Sequence, residues 1–390
     1  MLAQRYGRGA WLQHARDIRA LANSARARGI LAMGAPGTGK STLFGRVIAF
    51  LDFVMERPQV IIDPTGGTID HFLDKVGNTL RDLPKHKRSA VWERIQYVDM
   101  GSTEYICPFP LYYRLGTEQS LLEISERYLD LILKSNPWLL TAQVLGWPPL
   151  HDVGTHTGMV LAALGLQITS AQDLLRHPEE WEGRFSEAVQ RHPEAAPAVS
   201  YFRDEYIPMR PTDRRRLTNP FFEKIFTFNL DPQLKAMFGS QTPGINWDEV
   251  SAKNQTVLLD FRNVRGENRR FKLLWVFAYL YEWIKARGRR EQPFGLIIDE
   301  FVALTQKVLA GENPLAVELD EFIQQYIRSS RIWLTIGLQS PHQLDEHLQQ
   351  TVLSLGTYTF GQAATMEGAR LLADALFLRD PYWVKHYIQT

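Results

Sequence analysis

The stretch Gly34-Ala35-Pro36-Gly37-Thr38-Gly39-Lys40-Ser41 fits G-x-x-x-x-G-K-[ST], the pattern of a loop that cradles nucleotide phosphates. Glycines in such a loop accept positive φ angles, and successive backbone N–H groups point at phosphate oxygens. The next helix adds the partial positive charge of its N-terminus. Residues 30–33 are apolar and predict a strand, while apolar residues at helical spacing in 42–55 predict a helix. A strand, a glycine-rich loop and a helix in this order indicate an α/β nucleotide-binding fold.

Each group of this loop has an expected role toward ATP and Mg²⁺. The Lys40 ammonium would reach the β- and γ-phosphates, and the Ser41 hydroxyl would occupy one position on the metal. We predict that the following residues bind the nucleotide: Gly34, Ala35, Pro36, Gly37, Thr38, Gly39, Lys40, Ser41 and Thr42.

The composition is that of a soluble globular protein, with 390 residues of which 45% are hydrophobic and 22% charged. This length allows two or three structural units and a sizeable core. The formal net charge of +1 argues against a surface covered with basic groups, but it still allows nucleic acid in a local groove or pore. Cys107 is the only cysteine, which excludes an internal disulfide and fits a reducing compartment.

We predict a cytoplasmic location, either free or peripheral to the inner face of the cell membrane. Residues 1–28 are rich in arginine and alanine without an apolar core, so they do not form a secretory signal. The longest apolar run, residues 273–284, contains Glu282 and is too short to cross a bilayer. That run fits a buried helix.

Strands and helices alternate in the first and last parts of the chain. Further strands are predicted at residues 59–64, 94–100, 255–261, 294–298, 332–338 and 357–361. Helices are expected at residues 11–26, 69–83 and 366–377, and Lys85 to Arg88 is expected to form a basic loop. This alternation predicts an α/β fold with a mostly parallel sheet and helices on both faces.

The middle of the chain has little strand signal, and we expect it to be an all-helical insertion at residues 117–245. It would interrupt an α/β domain made of residues 30–116 and 246–390, after an N-terminal helical lead at residues 1–29. Helices are predicted at residues 118–133, 138–145, 157–164, 171–176, 181–192, 201–206 and 221–228. Prolines are expected to cut the insertion into short pieces: Pro193, Pro197, Pro208, Pro211 and Pro220.

Three predicted strands end in an aspartate: Asp63, Asp260 and Asp299. Only Asp299 is followed directly by a second carboxylate, Glu300. A P-loop enzyme needs one carboxylate for Mg²⁺ and one group that acts on the attacking water. We therefore assign Asp299 to the metal and Glu300 to catalysis, the alternative being two helix-capping acids. Asp63 and Asp260 are expected to cap turns.

The strand at residues 332–338 ends in Gln339, at the position where open α/β sheets bind ligands. Its amide would contact the γ-phosphate or the attacking water, and an ordinary strand-end amide is the alternative. Arg328 and Arg331, at the end of the preceding helix, are equally compatible with surface charges favoured by the helix dipole. The chain has no Asn-Lys-x-Asp motif for guanine and no Leu-Ser-Gly-Gly-Gln motif of transport cassettes, which favours ATP hydrolysis.

Together these motifs resemble the FtsK/HerA superfamily of ring-forming DNA-pumping ATPases. The resemblance is strongest to conjugative coupling proteins of type IV secretion, of the TraG/TraD-like kind. The stretches that carry it are the P-loop, Val60-Ile61-Ile62-Asp63-Pro64, Pro108-Phe109-Pro110-Leu111, Leu296 to Phe301, and Gln339-Ser340 with Gln343-Leu344. It implies a RecA-like ATPase domain with an all-α insertion, a hexameric homo-oligomeric ring, and DNA as a partner.

By position, the resemblance implies that Gln339 senses the γ-phosphate. It implies that Arg328 is an arginine finger supplied to the neighbouring subunit, with Arg331 as the fallback. Thr65 stands where the family usually has lysine, which weakens any role for that turn. The sequence lacks the N-terminal membrane span common in coupling proteins, so we expect a reduced, soluble member or a piece of a longer protein.

Three functions remain open on the sequence alone. The first is an ATP-driven ring motor that translocates DNA, with the basic loops Arg262 to Lys272 and Arg287 to Arg290 as candidate phosphate contacts or, alternatively, solvated surface charge. The second is a secretion ATPase that moves protein. The third is an ATP-dependent assembly switch whose helical insertion docks a secretion or DNA-processing complex.

Overall fold

The computed structural model describes residues 26–81, 84–114, 119–134, 139–264, 266–288, 290–305 and 316–360. The predicted helix at residues 366–377, and all but the last residue of that at 11–26, lie outside these ranges. Seven described strands form one sheet: β1 Ile30–Met33, β2 Gln59–Asp63, β3 Ile95–Asp99, β4 Thr256–Asp260, β5 Phe294–Ile298, β6 Ile332–Leu338 and β7 Thr357–Phe360. Every prediction of a strand is thus confirmed to within one residue at each end.

The sheet is parallel throughout, with the strand order β3-β4-β2-β5-β6-β1-β7. β1, which leads into the P-loop, pairs with β6 and β7, and β5 lies on the far side of β6. All strands therefore end at one edge of the sheet. This order brings the ends of β1, β5 and β6 together although they are far apart in sequence.

Helices connect these strands. The P-loop helix runs through Lys40–Thr42, a π-helical segment Leu43–Ala49 and Phe50–Val54. Helices Gly67–Leu80 and Lys85–Trp92 follow β2, and the long helix Gly266–Arg287 follows β4. The remaining helices outside the insertion are Val302–Thr305, the run Ala316–Glu321, Phe322–Tyr326 and Ile327–Ser329, the 3₁₀ turn Pro341–Gln343, and Glu346–Val352.

The described residues between β3 and β4 contain helices and loops but no strand. The helices are Leu121–Lys134, Leu139–Ala163, Ala171–Arg176, Glu182–Arg191, Ala196–Ser200 with Tyr201–Tyr206, Pro211–Leu230, Pro232–Gly239 and Trp247–Ala252, with 3₁₀ turns at Ile168–Ser170, Pro178–Trp181 and Pro193–Ala195. Among the described residues, no single helix is long and apolar enough to cross a membrane; His151–Ala163 and Ile168–Arg176 meet that requirement only as a pair bent by 115°.

Three local predictions are wrong. Lys85 to Arg88 is not a loop but begins helix Lys85–Trp92, since Pro84 precedes it and lysine, arginine and alanine favour helix. The two helices expected at residues 138–145 and 157–164 are one helix, Leu139–Ala163. Pro220 lies inside helix Pro211–Leu230, where burial of apolar side chains such as Phe221 offsets the lost hydrogen bond.

Each face of the sheet packs against a different set of helices. On one face, Ile30, Ala32 and Ile61 pack with Phe44 of the P-loop helix and Phe72 of helix Gly67–Leu80. Side chains from the opposite face belong to a larger cluster shared with the insertion and helix Gly266–Arg287. The alternation follows from the two-residue period of a strand and leaves all central strands buried on both faces.

Gly45 sets the distance between the P-loop helix and helix Gly67–Leu80. A Cβ at this position would lie 2.8 Å from the Phe72 backbone nitrogen and 2.8 Å from the His71 Cβ, both closer than side chains tolerate. The absence of a side chain thus allows the two helices to touch through their backbones. This contact places the start of helix Gly67–Leu80 beside the P-loop.

Candidate functional site

The P-loop has the backbone conformation that its sequence requires. Gly37 and Gly39 have φ angles of +81° and +90°, in the left-handed region that favours glycine. The Thr38 N–H and hydroxyl donate to the Ala35 carbonyl at 3.3 and 2.8 Å. The Gly34 N–H donates to the Leu338 carbonyl at 3.1 Å, which anchors the loop to the end of β6.

Lys40 folds back onto the loop that it follows. Its half-buried side chain donates from Nζ to the Gly34 carbonyl at 2.5 Å and to the Ala35 carbonyl at 3.2 Å. These contacts hold the positive charge at the loop. The role predicted for Lys40 toward the phosphates stays a prediction.

Asp299 is a junction of three elements and is almost fully buried, with 1% of its surface exposed. Its Oδ2 accepts hydrogen bonds from the Ser41 hydroxyl and the Thr68 hydroxyl, each at 2.7 Å. Its Oδ1 accepts from the Glu300 N–H at 3.1 Å. β5, the P-loop helix and helix Gly67–Leu80 are thereby joined through one carboxylate.

Sequence reasoning missed Thr68. Thr68 follows a turn in which Thr65 replaces the lysine that is usual in the family, so the turn was given little weight. No motif marks a threonine at position 68. Its side chain is fully buried and its hydroxyl is committed to Asp299. Thr68 reaches Asp299 only because the P-loop helix and helix Gly67–Leu80 touch at Gly45. The available sequence signal was therefore a small residue at the point where a second helix packs.

The oxygen atoms at this junction fit a magnesium ion. Ser41 Oγ and Asp299 Oδ2 are 2.7 Å apart, and hydroxyl and carboxylate oxygens are the ligands that Mg²⁺ prefers. Among the described residues, no cluster of three or more histidine, cysteine, aspartate or glutamate side chains could hold a metal ion. Ser41 and Asp299 would be the protein ligands of such an ion, and Mg²⁺ commonly takes further ligands from water and substrate phosphates.

Glu300 and Gln339 meet across β5 and β6. The Gln339 amide nitrogen lies 3.2 Å from each Glu300 carboxylate oxygen and donates to them. Glu300 has a φ of +55°, which is uncommon for a residue with a side chain and is found at functional sites. The Phe301 N–H donates to the Gly337 carbonyl at 2.9 Å and fixes the turn. Two residues predicted separately thus form one pair.

Arg328 and Arg331 lie at the opposite edge of the sheet from the P-loop. Both precede β6, whereas Gln339 follows it, and seven strand residues span about 20 Å. Arg331 has a φ of +52° and donates from its guanidinium to the Glu291 carbonyl. The structure does not bring either arginine to the P-loop of its own chain.

The other two strand-end aspartates have structural partners, as expected. Asp63 accepts from the Thr65 and Gly66 N–H groups and the Thr65 hydroxyl with one oxygen, and from the Ile69 N–H with the other, at 2.7–3.1 Å. It therefore caps the turn and the start of helix Gly67–Leu80. Asp260 accepts from the Arg262 N–H at 3.0 Å and from its Nε at 2.7 Å.

Arg262 is also fully engaged. Its guanidinium donates to both Asp70 oxygens at 2.7 and 2.9 Å and to the Gly66 carbonyl at 3.1 Å. The hydrogen bonds that Arg262 donates to Asp70, followed by the charge of Asp260, raise the pKa of Arg262. The Tyr97 hydroxyl completes the group by donating to Asp260 at 2.9 Å.

The two basic segments proposed for phosphate contact are built differently from the expected loops. Lys272 is buried in helix Gly266–Arg287 and donates to the Met100 carbonyl and to Gln233; burial lowers its pKa to about 8. Arg287 is buried and donates to the Ser330 and Gln292 carbonyls; burial lowers its pKa to about 10.

Neither phosphate contact nor solvated surface charge describes these two buried side chains. Arg269 also bonds within the protein, donating to the Val264 and Arg262 carbonyls. Arg265 and Arg289 lie outside the described residues.

Comparison with solved structures finds proteins of similar overall structure. VirB4 of Thermoanaerobacter pseudethanolicus superimposes with a TM-score of 0.50 at 13% identity, over 89% of this chain and 80% of that chain. The chain shares the fold of VirB4. Plasmid coupling protein TrwB in complex with ADP and Mg²⁺ gives a TM-score of 0.43 at 16% identity, over 86% of this chain and 70% of that one.

No protein-family model and no curated protein matches the sequence. At 13% identity, the likeness to VirB4 establishes the fold. It confirms the predicted α/β, RecA-like architecture. Activity, substrate and assembly are therefore argued from the residues of the site.

Proposed function

We propose that this chain hydrolyses ATP at the P-loop and works as a ring motor that translocates DNA, in the manner of conjugative coupling ATPases. The observation that carries the proposal is the Glu300–Gln339 pair beside Asp299, which is itself bonded to Ser41. A phosphate loop, a metal carboxylate and a paired carboxylate and amide are the groups that nucleotide hydrolysis requires.

The residues divide the chemistry among them. Lys40 and the loop N–H groups neutralise the β- and γ-phosphates, while Ser41 and Asp299 would hold Mg²⁺, which would supply further charge neutralisation when bound. Glu300 accepts a proton from the water that attacks the γ-phosphorus, and Gln339 orients that water. The bond from phosphorus to the β–γ bridging oxygen breaks, and ADP leaves with the electron pair.

The ring part of the proposal rests on Arg328. Charge that develops on the transferred phosphoryl group is commonly met by an arginine. Arg328 stands where the resemblance implies such a finger, yet a strand length of about 20 Å separates it from the P-loop of its own chain. Within this proposal it therefore acts on the site of a neighbouring subunit.

The test is the ATPase rate with and without single- or double-stranded DNA, read beside the mass of the assembly. We expect a closed oligomer, six subunits being the predicted number, whose turnover DNA stimulates. An oligomer that hydrolyses ATP without any response to DNA would contradict the DNA motor and favour a protein-moving ATPase. Binding of ATP without turnover would favour an assembly switch.

Mixing subunits tests the action of Arg328 between neighbours. Arg328→Ala chains added to wild-type chains should lower turnover by more than their share of the mixture, because each variant subunit also disables a wild-type site. A loss that only follows dilution would show that Arg328 does not act across an interface. Arg331→Ala mixed in the same proportions is the matched comparison.

A further inference from the structure

A basic cleft opens on the helical insertion, away from the P-loop. It lies between the end of helix Ala171–Arg176 and the first half of helix Pro211–Leu230, and its volume is about 520 Å³. Three arginines and one histidine contribute to its wall: Arg176, Arg214, Arg215 and His177. None of the ten residues that line it is acidic.

Only part of this positive charge is neutralised within the described residues. Arg214 pairs with Glu179 at 2.6 Å. Arg176 instead places its guanidinium 5.4 Å from the ring centre of Phe222, while Arg215 is exposed at the mouth. A concave wall of one charge sign concentrates its field and attracts an anion of the opposite sign.

The charge continues on the surface beside the cleft. Arg210 and Arg216 are exposed on either side of Arg214 and Arg215, and Asp213 is the one acidic residue in residues 210–216. Several arginines in and near one cleft suit a ligand that carries several negative charges, such as a chain of phosphodiesters.

The aromatic side chains decide the kind of nucleic acid. Phe222 lines the cleft, and Phe226, one helical turn further along, is 49% exposed. Unpaired bases stack on aromatic faces, whereas a duplex keeps its bases stacked on each other and an acidic peptide has no flat ring system to offer. The Asn219 amide, also in the wall, offers donors for a phosphate or a base edge.

We infer that this cleft binds the backbone of a single-stranded nucleic acid, with Arg176 and Arg215 contacting phosphates and Phe222 and Phe226 facing bases. The inference rests on the proposed function because a strand moved by the motor would be this ligand. It also moves the contact away from Lys272 and Arg287, which are buried.

The experiment measures binding of a fluorescent oligothymidylate of about 16 nucleotides, a length typical of single-strand sites, across a series of salt concentrations. The Arg176→Ala/Arg215→Ala protein should bind about tenfold or more weakly, with a salt slope smaller by about 1 for each arginine that no longer meets a phosphate. Arg176→Lys/Arg215→Lys should keep most of the affinity. Lys235→Glu, at an exposed position of the same insertion, serves as the control for general charge.

The outcomes separate this inference from the proposed function. Equal oligonucleotide binding by wild type and both double variants overturns the cleft and leaves the DNA motor standing. Absence of any DNA binding by the wild type overturns both. Binding of duplex or of polyglutamate in preference to the oligonucleotide also overturns the inference. If the alanine variant keeps the wild-type ATPase turnover in the absence of DNA, its ATPase site is still folded.

Discussion

Two parts of the same sheet edge use similar residues for different purposes. We call one the P-loop edge, formed by Lys40, Ser41, Asp299, Glu300 and Gln339. We call the other the far edge; it lies on the same edge of the sheet, at the ends of β2 and β4, and is formed by Asp63, Asp260, Arg262 and Lys272. At the far edge the described charged groups bond mainly to backbone groups and to other charged side chains. At the P-loop edge they bond mainly to hydroxyl and amide side chains.

The difference explains how one pattern, a strand followed by aspartate, gives two roles. A backbone N–H that caps a turn is fixed by the fold, as at Asp63. A hydroxyl such as that of Ser41 can turn toward a cation without unfolding anything. Partners that can rearrange suit the P-loop edge to the proposed chemistry, whereas the fixed partners at the far edge hold turns in place.

The largest effect is expected at Glu300 and Lys40. In the proposed mechanism, Glu300→Gln removes the proton acceptor and Lys40→Ala removes the charge beside the phosphates, so each should lower turnover by about 100-fold or more. ATP binding should survive in Glu300→Gln because the loop is intact. A steady-state ATPase assay with a nucleotide-binding titration measures both.

Glu104→Gln is the matched control for charge, since Glu104 is exposed in a loop. It should leave turnover unchanged. Wild-type turnover in both Glu300→Gln and Lys40→Ala would break the assignment of the P-loop edge.

A second prediction concerns the packing that brings Thr68 to Asp299. Gly45→Ala places a methyl group 2.8 Å from the Phe72 backbone nitrogen, and the helices must separate at a cost of about 1–3 kcal/mol. Thermal or denaturant unfolding measures this loss. Gly77→Ala, in the same helix pair but with open space around it, should instead stabilise by up to about 1 kcal/mol.

Thr68→Val should have a smaller effect and should act through the metal. The substitution removes the Thr68 hydroxyl that donates to Asp299 while keeping the shape of the side chain. The lost hydrogen bond is worth about 1 kcal/mol and leaves the carboxylate less firmly oriented. We expect weaker ATP binding at limiting Mg²⁺, with nucleotide affinity in EDTA unchanged, and Thr68→Ser should restore it. Equal weakening with and without Mg²⁺ would instead assign Thr68 to general packing.

A further effect is expected at the far edge and depends on pH. Burial lowers the pKa of Lys272 to about 8, whereas a lysine in an unfolded chain titrates near its usual value of about 10.4. Between these values the unfolded chain binds more protons, so the free energy of unfolding rises with pH. Wild type should therefore gain stability relative to Lys272→Met from about pH 8 to pH 10.

Lys235→Met, at an exposed position, is the control and should show no such trend against wild type. Denaturant unfolding at several pH values gives all three curves. A constant difference between wild type and Lys272→Met across the range would contradict the buried, partly neutral lysine.

The strands and the P-loop were predictable because their signals are local. An apolar run of five residues or a fixed glycine spacing is read within a short window. The pair Glu300 and Gln339 was predictable residue by residue, but their contact depends on β5 and β6 being neighbours. Strand order is a property of the whole sheet.

The features that the sequence did not predict correctly depend on tertiary contacts. Thr68 reaches Asp299 only because Gly45 allows two helices to touch. Lys272 looked exposed because lysine usually is, yet its amino group finds the Met100 carbonyl in the core. Pro220 looked like a helix end, and packing overrode it. No window of sequence contains both partners of these contacts.

The most direct test of the two edges compares Asp299→Asn with Asp63→Asn, measuring turnover and unfolding free energy for each. Asp299→Asn should lose most of its turnover with little loss of stability, because the two partners of its Oδ2 are hydroxyls that can reorient. Asp63→Asn should lose about 1–3 kcal/mol of stability, because a buried cap is broken, while its folded fraction still hydrolyses ATP. The same loss of turnover per folded molecule in both variants would contradict the account.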